Sequence, residues 1–395
     1  MPPNSMNKAK KACMINRRRS LKPSVLGLLL FLVLCGCSTA RQEKSFSPKV
    51  RLTSLRGFPQ GEDGYSLGVS ACYAGIIGNR LIMAGGCNFP EKGKKRYYSG
   101  IYAARLGEDS LRWTLVGRLP RAAAYGASVV SGDSLILIGG CNNEERLSSV
   151  LSLKFTADSS AVVVRSMTSL PATMDNGTAA LADGTVYVAG GNQDGKPSRA
   201  IWGFDLCKEK TWKSLVVMPL HARVQPVSAC SEGRLYVWGG FSTGEAEPVV
   251  ATNGLSYDLQ LGQLARLDGP SGERGESLTL SGGCAVAMTT SHNRPYILAM
   301  GGVNKDIFLD AISNRYQLVA QKDYLDQTPA WYRFNRKLLC YDVRRQTWLA
   351  PLLDDERLAR AGATAVVRGH TVYYIGGELK PGVRVAAIVS LSVDD

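Results

Sequence analysis

A glycine pair set directly behind a five-residue, mostly apolar run recurs six times along this 395-residue chain, beginning at Gly85, Gly139, Gly190, Gly239, Gly301 and Gly376, and few folds accommodate such a period. The intervals are 54, 51, 49, 62 and 75 residues. A period near 50 marks a repeat protein, in which each copy is one supersecondary unit that buries its apolar faces only against its neighbours. A short aliphatic or β-branched run precedes every pair: R-L-I-M-A, S-L-I-L-I, T-V-Y-V-A, R-L-Y-V-W, Y-I-L-A-M and T-V-Y-Y-I. Runs of that length, bounded by turn residues, read as buried strands. The repeats therefore point to one all-β array, even though the length alone would admit two domains.

The rest of each unit also repeats. Phe204 and Asp205 are followed by Trp212, and Tyr341 and Asp342 by Trp348, with Tyr102 and Trp113 as a weaker copy. A Leu/Met-Pro step closes units at Pro120, Pro171 and Pro219. The second copy lacks the tryptophan, and the fourth lacks both it and a clean proline step. Together these features resemble the kelch motif, which implies a six-bladed β-propeller spanning 48–395. The chain ends fit a closed ring: V-R-L-T-S-L-R-G-F-P, Val50 to Pro59, supplies one strand with no blade before it, and Val385 to Val393 supplies one after the last glycine pair. The N-terminal strand is expected to complete the sixth blade and so remove an open sheet edge. In the longest interval, Ile307, Phe308, Ala311, Ile312 and Tyr316 fall at helical spacing, a lid over one face or a packed insertion.

Residues 1–37 stand apart from the repeats. Seven basic residues (Lys8, Lys10, Lys11, Arg17, Arg18, Arg19 and Lys22) lead into the apolar run Val25 to Leu34, which is short for a membrane span and reads as a signal peptide. L-C-G-C, Leu34 to Cys37, resembles a bacterial lipobox. It implies lipidation of Cys37, a tether over 38–47 and a periplasmic or envelope location, with the outer membrane expected. Cys35 is an alternative cleavage cysteine, Met14 an alternative start, and an ordinary cleaved signal the alternative reading. Without this leader the net charge falls from +14 to +7, scattered and without basic runs, so no nucleic-acid partner is expected. Seven cysteines remain, an odd number without CxxC or Cys/His spacing, which argues against a disulfide framework and a metal site. Small buried thiols are expected, with Cys87 and Cys141 the one pair placed alike in adjacent repeats.

In such a ring, residues just past the glycine pairs or just before the inner strands converge near the axis. The candidates are Glu378, Lys380 and Arg384 in the last unit and Asn304, Lys305 and Asp306 in the fifth. Arg223 and Gln225 precede the fourth inner strand, Arg121 and Tyr125 the second, and Asn88 follows the first glycine pair. An acid, a lysine and an arginine crowd together only in G-G-E-L-K-P-G-V-R, Gly376 to Arg384. The histidines, His221, His292 and His370, are scattered, and no sialidase S-x-D-x-G-x-x-W boxes occur.

The blocks G-G-C-N-F-P (85–90), A-A-A-Y-G-A-S (122–128), R-V-Q-P (223–226), G-G-V-N-K-D-I-F (301–308), W-Y-R-F-N-R-K-L-L (331–339) and G-E-L-K-P-G-V-R (377–384) resemble the N-acetylneuraminate epimerase, or sialic acid mutarotase, family of periplasmic kelch propellers. Their order resembles a cyclically permuted branch, with the G-E-x-K-P-G-x-R block last. The resemblance implies an isomerase that interconverts α and β anomers of an acidic sugar without a cofactor or metal, and makes Glu378 the proton acceptor. A guanidinium can bind the sugar carboxylate in bidentate fashion. Arg223 and Arg384 are the expected contacts, with Lys305, Arg121, Asn304 and Asn88 behind them. A lipid-anchored kelch module that only binds a sugar or protein loop is the competing reading; a shielded Glu378 beside arginines favours the enzyme.

Overall fold

The structure is a computed structural model that describes residues 48–107, 110–208 and 210–394. The expected leader, Cys37 and the tether lie outside the described residues. Six antiparallel sheets of four or five strands follow one another along the chain. Blade 1 runs outward from the axis through Tyr73–Ile77, Arg80–Ala84, Gly100–Arg105 and Thr114–Arg118. The inner strands of the next five blades are Ala127–Ser131, Thr178–Ala182, Val224–Ser231, Gly283–Thr289 and Thr364–Arg368. Each packs against the next, and the sixth against the first, so the ring is closed.

Closure is made by the chain ends, as their sequences suggest. Lys49–Leu55 pairs antiparallel with Ile388–Asp394, Val50 opposite Val393 and Leu52 opposite Leu391, and becomes the outer strand of blade 6. The apolar runs before the glycine pairs are the second strands. Leu81, Ile82, Met83 and Ala84 are fully buried, because neighbouring blades cover both faces of the sheet. That double cover explains why the runs are continuous and do not alternate.

The tryptophans tie blade to blade. Trp212 Nε1 donates to Thr168 O at 3.1 Å, Trp348 Nε1 to Asp268 O at 3.1 Å and Trp113 Nε1 to Gly57 O at 3.3 Å, in each case reaching the segment that leads into its own blade. Between blades 4 and 5, Trp238, Tyr341 and Trp348 pack edge-to-face with centroids 4.9–5.3 Å apart, a favoured aromatic arrangement. The seven cysteines from Cys72 to Cys340 are free thiols. Cys72, Cys87, Cys284 and Cys340 are buried, Cys207 is exposed, and Cys87 and Cys141 form no disulfide.

At one end of the axis the backbone makes a second, smaller ring. Ala71 N donates to Gly362 O, Tyr125 N to Ala71 O, Asn176 N to Tyr125 O, Gln225 N to Asn176 O, Gly282 N to Gln225 O and Gly362 N to Gly282 O, at 2.7–3.0 Å. One residue comes from each blade, at or just before the start of its inner strand, and all six have φ between 53° and 71°. This left-handed conformation turns each amide and carbonyl along the ring. Ala71, Tyr125 and Gln225 adopt it at roughly 1–2 kcal/mol each, while glycine does so freely. Below the ring the inner strands enclose an axial cavity of about 480 Å³ whose lining contains no charged residue.

The long interval in blade 5 forms a packed insertion. Its helix, Lys305–Ile312, is shorter than the apolar spacing suggests, since Asp310 accepts from Gln317 N and Leu318 N and turns the chain away before Tyr316. Short 3₁₀ turns follow at Gln321–Asp326 and Pro329–Tyr332.

Candidate active site

In blade 6, as in the other blades, the glycine pair lets the chain leave the second strand close against the backbone of its neighbour. Gly376 has φ +57°, and a Cβ there would stand 2.3 Å from the Val69 carbonyl oxygen, which the Gly377 amide binds at 2.9 Å. Only glycine fits so close an approach. Past the pair, Glu378–Lys380 and Val383–Arg384 form a hairpin whose first residue exchanges backbone hydrogen bonds with Ala361. Ala361 precedes the ring residue Gly362, whereas the residues lining the cavity follow it. Glu378 therefore lies above the backbone ring, on the opposite side from the axial cavity.

Glu378 and Arg384 are register partners in this hairpin, and their side chains make an ion pair. The arginine side chain is 5% exposed and the glutamate side chain 24%, so the carboxylate is shielded but reachable. Burial raises the Glu378 pKa above the ordinary glutamate value, and the charges of Arg384 and Lys95 only partly offset it. The Arg384 guanidinium lies 5.1 Å from the Phe89 ring centroid, and its Nε has no hydrogen-bond partner among the described residues.

Tyr125, the ring residue of blade 2, faces this pair. Burial, then Cys87 and Glu378, hold its hydroxyl well above the usual phenol range, against the pull of Arg384. The Lys95 ammonium stands 4.2 Å from the Tyr125 ring centroid and 5.1 Å from that of Tyr97. Asp175, buried just before the ring residue of blade 3, accepts from Arg146 Nε at 2.8 Å, Asn176 Nδ2 at 2.6 Å and Asn192 Nδ2 at 2.8 Å. Gln225 Nε2 donates to Asn176 Oδ1 at 2.9 Å and continues this polar belt into blade 4.

The insertion walls the other side. Lys380 Nζ donates to Leu325 O at 2.9 Å and Gln327 O at 2.6 Å, fixing the first 3₁₀ turn against the blade 6 hairpin. Tyr324 and Tyr332 sit within electrostatic reach of Glu378, their hydroxyls shifted up chiefly by burial.

The other expected residues occupy different places. Arg223, buried, donates to Gly239 O at 2.6 Å and to Asn253 O and Oδ1 at 3.2 and 2.7 Å. Arg360 does the same in blade 6, donating to Gly376 O and Ala387 O at 3.0 Å. Both cap strand-end carbonyls, so the packing gives Arg223 a structural place where a carboxylate contact was expected. Asn88, 2% exposed, binds Gly64 O, Gly68 O and the Tyr98 hydroxyl. Asn304 caps the helix by accepting from Asp306 N and Ile307 N. Lys305 pairs with Asp306 at 3.2 Å, and the exposed Arg121 with Glu145 at 2.5 Å. Lys95, Tyr97, Arg146 and Asp175 were not legible as site residues. Lys95 and Tyr97 lie in the hairpin after the first glycine pair, where position was the only available signal.

The fold and site together are those of a closed kelch-type six-bladed propeller with a shielded carboxylate–guanidinium pair and a buried phenol near its axis. The chain belongs to the N-acetylneuraminate epimerase family, whose sequence profile matches residues 167–395. It is 30% identical over 230 residues to the N-acetylneuraminate epimerase of Haemophilus influenzae (strain PittEE), covering 55% of this chain and 56% of that one. It is 29% identical over 235 residues to the Yersinia enterocolitica protein of the same name, covering 55% of each. The Yersinia pestis (strain Pestoides F) protein matches at 29% over 263 residues, covering 61% of each. The chain thus spans a little over half the length of the curated relatives it matches.

Proposed function

We propose that this protein accelerates α/β anomer interconversion of N-acetylneuraminate or a related acidic sugar, acting at the cell envelope from a lipid anchor on Cys37. The observation that carries the reading is Glu378: an acid set above the ring, mostly shielded, paired with Arg384 and facing Tyr125. A module that only holds a sugar has no need of a shielded acid with a raised pKa, and such groups concentrate at catalytic sites.

In the proposed reaction Glu378 takes the proton of the anomeric hydroxyl. The bond from the anomeric carbon to the ring oxygen breaks as the carbonyl forms, and its electron pair goes to the ring oxygen, which takes a proton from the Tyr125 hydroxyl. The open ketone rotates, and the ring hydroxyl attacks the other carbonyl face. That hydroxyl returns its proton to Tyr125 while Glu378 protonates the new anomeric oxygen. Arg384 orients the Glu378 carboxylate and favours its ionised form. Lys380 holds the aromatic wall of the insertion over the reacting ring. The test is the rate of anomer exchange at equilibrium, read by proton exchange spectroscopy, with and without the folded domain.

A further inference from the structure

We propose that Lys95 is the residue that binds the sugar carboxylate, in the role the sequence suggested for Arg223 and Arg384; this rests on the function proposed above. In a 2-keto sugar acid the carboxylate is bonded to the anomeric carbon itself, so it comes to rest beside whichever group handles the anomeric hydroxyl. The cation that binds it must therefore stand next to Glu378. Arg384 is there, but its side chain is 5% exposed, it is paired to Glu378 and it lies against Phe89. Arg223 is buried against backbone carbonyls, and Lys305 and Arg121 have carboxylate partners.

Lys95 is held by neither a carboxylate nor a backbone carbonyl among the described residues. It is half-buried, and its ammonium rests over the rings of Tyr125 and Tyr97. Cation–π contacts of this kind hold the ammonium in place without neutralising it. The two rings fix the direction from which it meets a ligand, and Tyr125 is the residue that also faces Glu378 and Arg384. Lys95 is close enough for its charge to act on Glu378. The arrangement presents one uncompensated positive charge beside the base. It thus selects sugars that carry an anion on the anomeric carbon and discriminates against neutral aldoses and ketoses.

The experiment compares N-acetylneuraminate with its methyl ester, using wild type, Lys95→Met and Lys95→Arg, for exchange rate and for binding by titration calorimetry. One charge-assisted contact predicts that Lys95→Met raises KM for the acid about 10- to 100-fold. On the pH plateau kcat should hold within a few-fold, the ester should be unaffected, and Lys95→Arg should recover part of the loss. Removing the positive charge also moves the acidic limb of the pH–rate profile upward, which a merely structural role would not do. Equal losses for acid and ester, or none for either, would overturn the assignment while leaving the exchange activity of the wild type standing. Binding that distinguishes acid from ester through Lys95, without any acceleration of exchange, would keep the assignment and remove the enzymatic reading. No binding of either sugar by the wild type would remove both.

Discussion

Glu378 and Arg384 face each other across a hairpin that follows the last glycine pair, where the chain passes close against Val69. The scaffold and the chemistry are therefore linked through nine consecutive residues, Gly376 to Arg384. The arginine is close enough to favour the ionised acid, and burial still outweighs it.

That balance has a sign that can be measured. Glu378 acts as a base when ionised, so the acidic limb of the rate profile should lie above the ordinary glutamate value of 4.5. Arg384→Met removes a charge that lowers this pKa, and the limb should move further up. In stability terms the folded state holds the proton more tightly than the unfolded chain. The group's contribution is therefore full below the unfolded value and is lost as pH rises through the folded pKa. Melting of wild type and Glu378→Gln across acidic to neutral pH should show the wild type losing ground as pH rises.

Lys380 fixes the insertion through two backbone carbonyls, at Leu325 and Gln327. Lys380→Met should release that segment without opening the ring. Amide exchange over 321–334 should quicken by on the order of 10-fold, since hydrogen bonds to a charged group contribute about 1.5–3 kcal/mol each and partial exposure discounts them. The inner strands should keep their protection. Unchanged exchange in 321–334 would mean that the aromatic cluster alone holds the wall.

The backbone ring gives a paired test. Gly362 has φ +59° and room for a methyl group, its nearest neighbour being Ser70 Cβ at 3.5 Å. Gly362→Ala should therefore destabilise by roughly 1 kcal/mol through backbone strain alone. Ala71 has φ 54°, and Ala71→Gly relieves the same strain against a cost in unfolded-state entropy of about 0.5–1 kcal/mol, so it should be near neutral or stabilising. Denaturant midpoints of the two variants should move apart in that order.

The blades were legible because their signal repeats: six glycine pairs, each behind a doubly covered strand, fix the scaffold, and the unmatched strands at 49–55 and 388–394 need each other. Glu378 and Arg384 were legible because one short motif holds both. Polar residues in the equivalent loops are engaged by the fold itself for a physical reason, namely that buried carbonyls must find donors. Arg223 and Asn88 supply them, and Asn304 answers the first amides of a helix. The Asn304 role had a signal in the asparagine that precedes a helical apolar pattern, with Asp306 in the first turn. Lys95, Tyr97, Arg146 and Asp175 had no such signal, because they meet only when blades 1, 2 and 3 close around the axis.

The central claim is that Glu378 is the base of an anomer exchange. Proton exchange spectroscopy on equilibrated N-acetylneuraminate, with residues 38–395 as wild type and as Glu378→Gln, tests it most directly. The account predicts faster α/β exchange with the wild type and a loss of about 10²- to 10⁴-fold in the variant, the usual contribution of one well-placed general base. Full acceleration by Glu378→Gln would contradict the assignment of the base, and no acceleration by the wild type on this or other acidic sugars would contradict the enzyme itself.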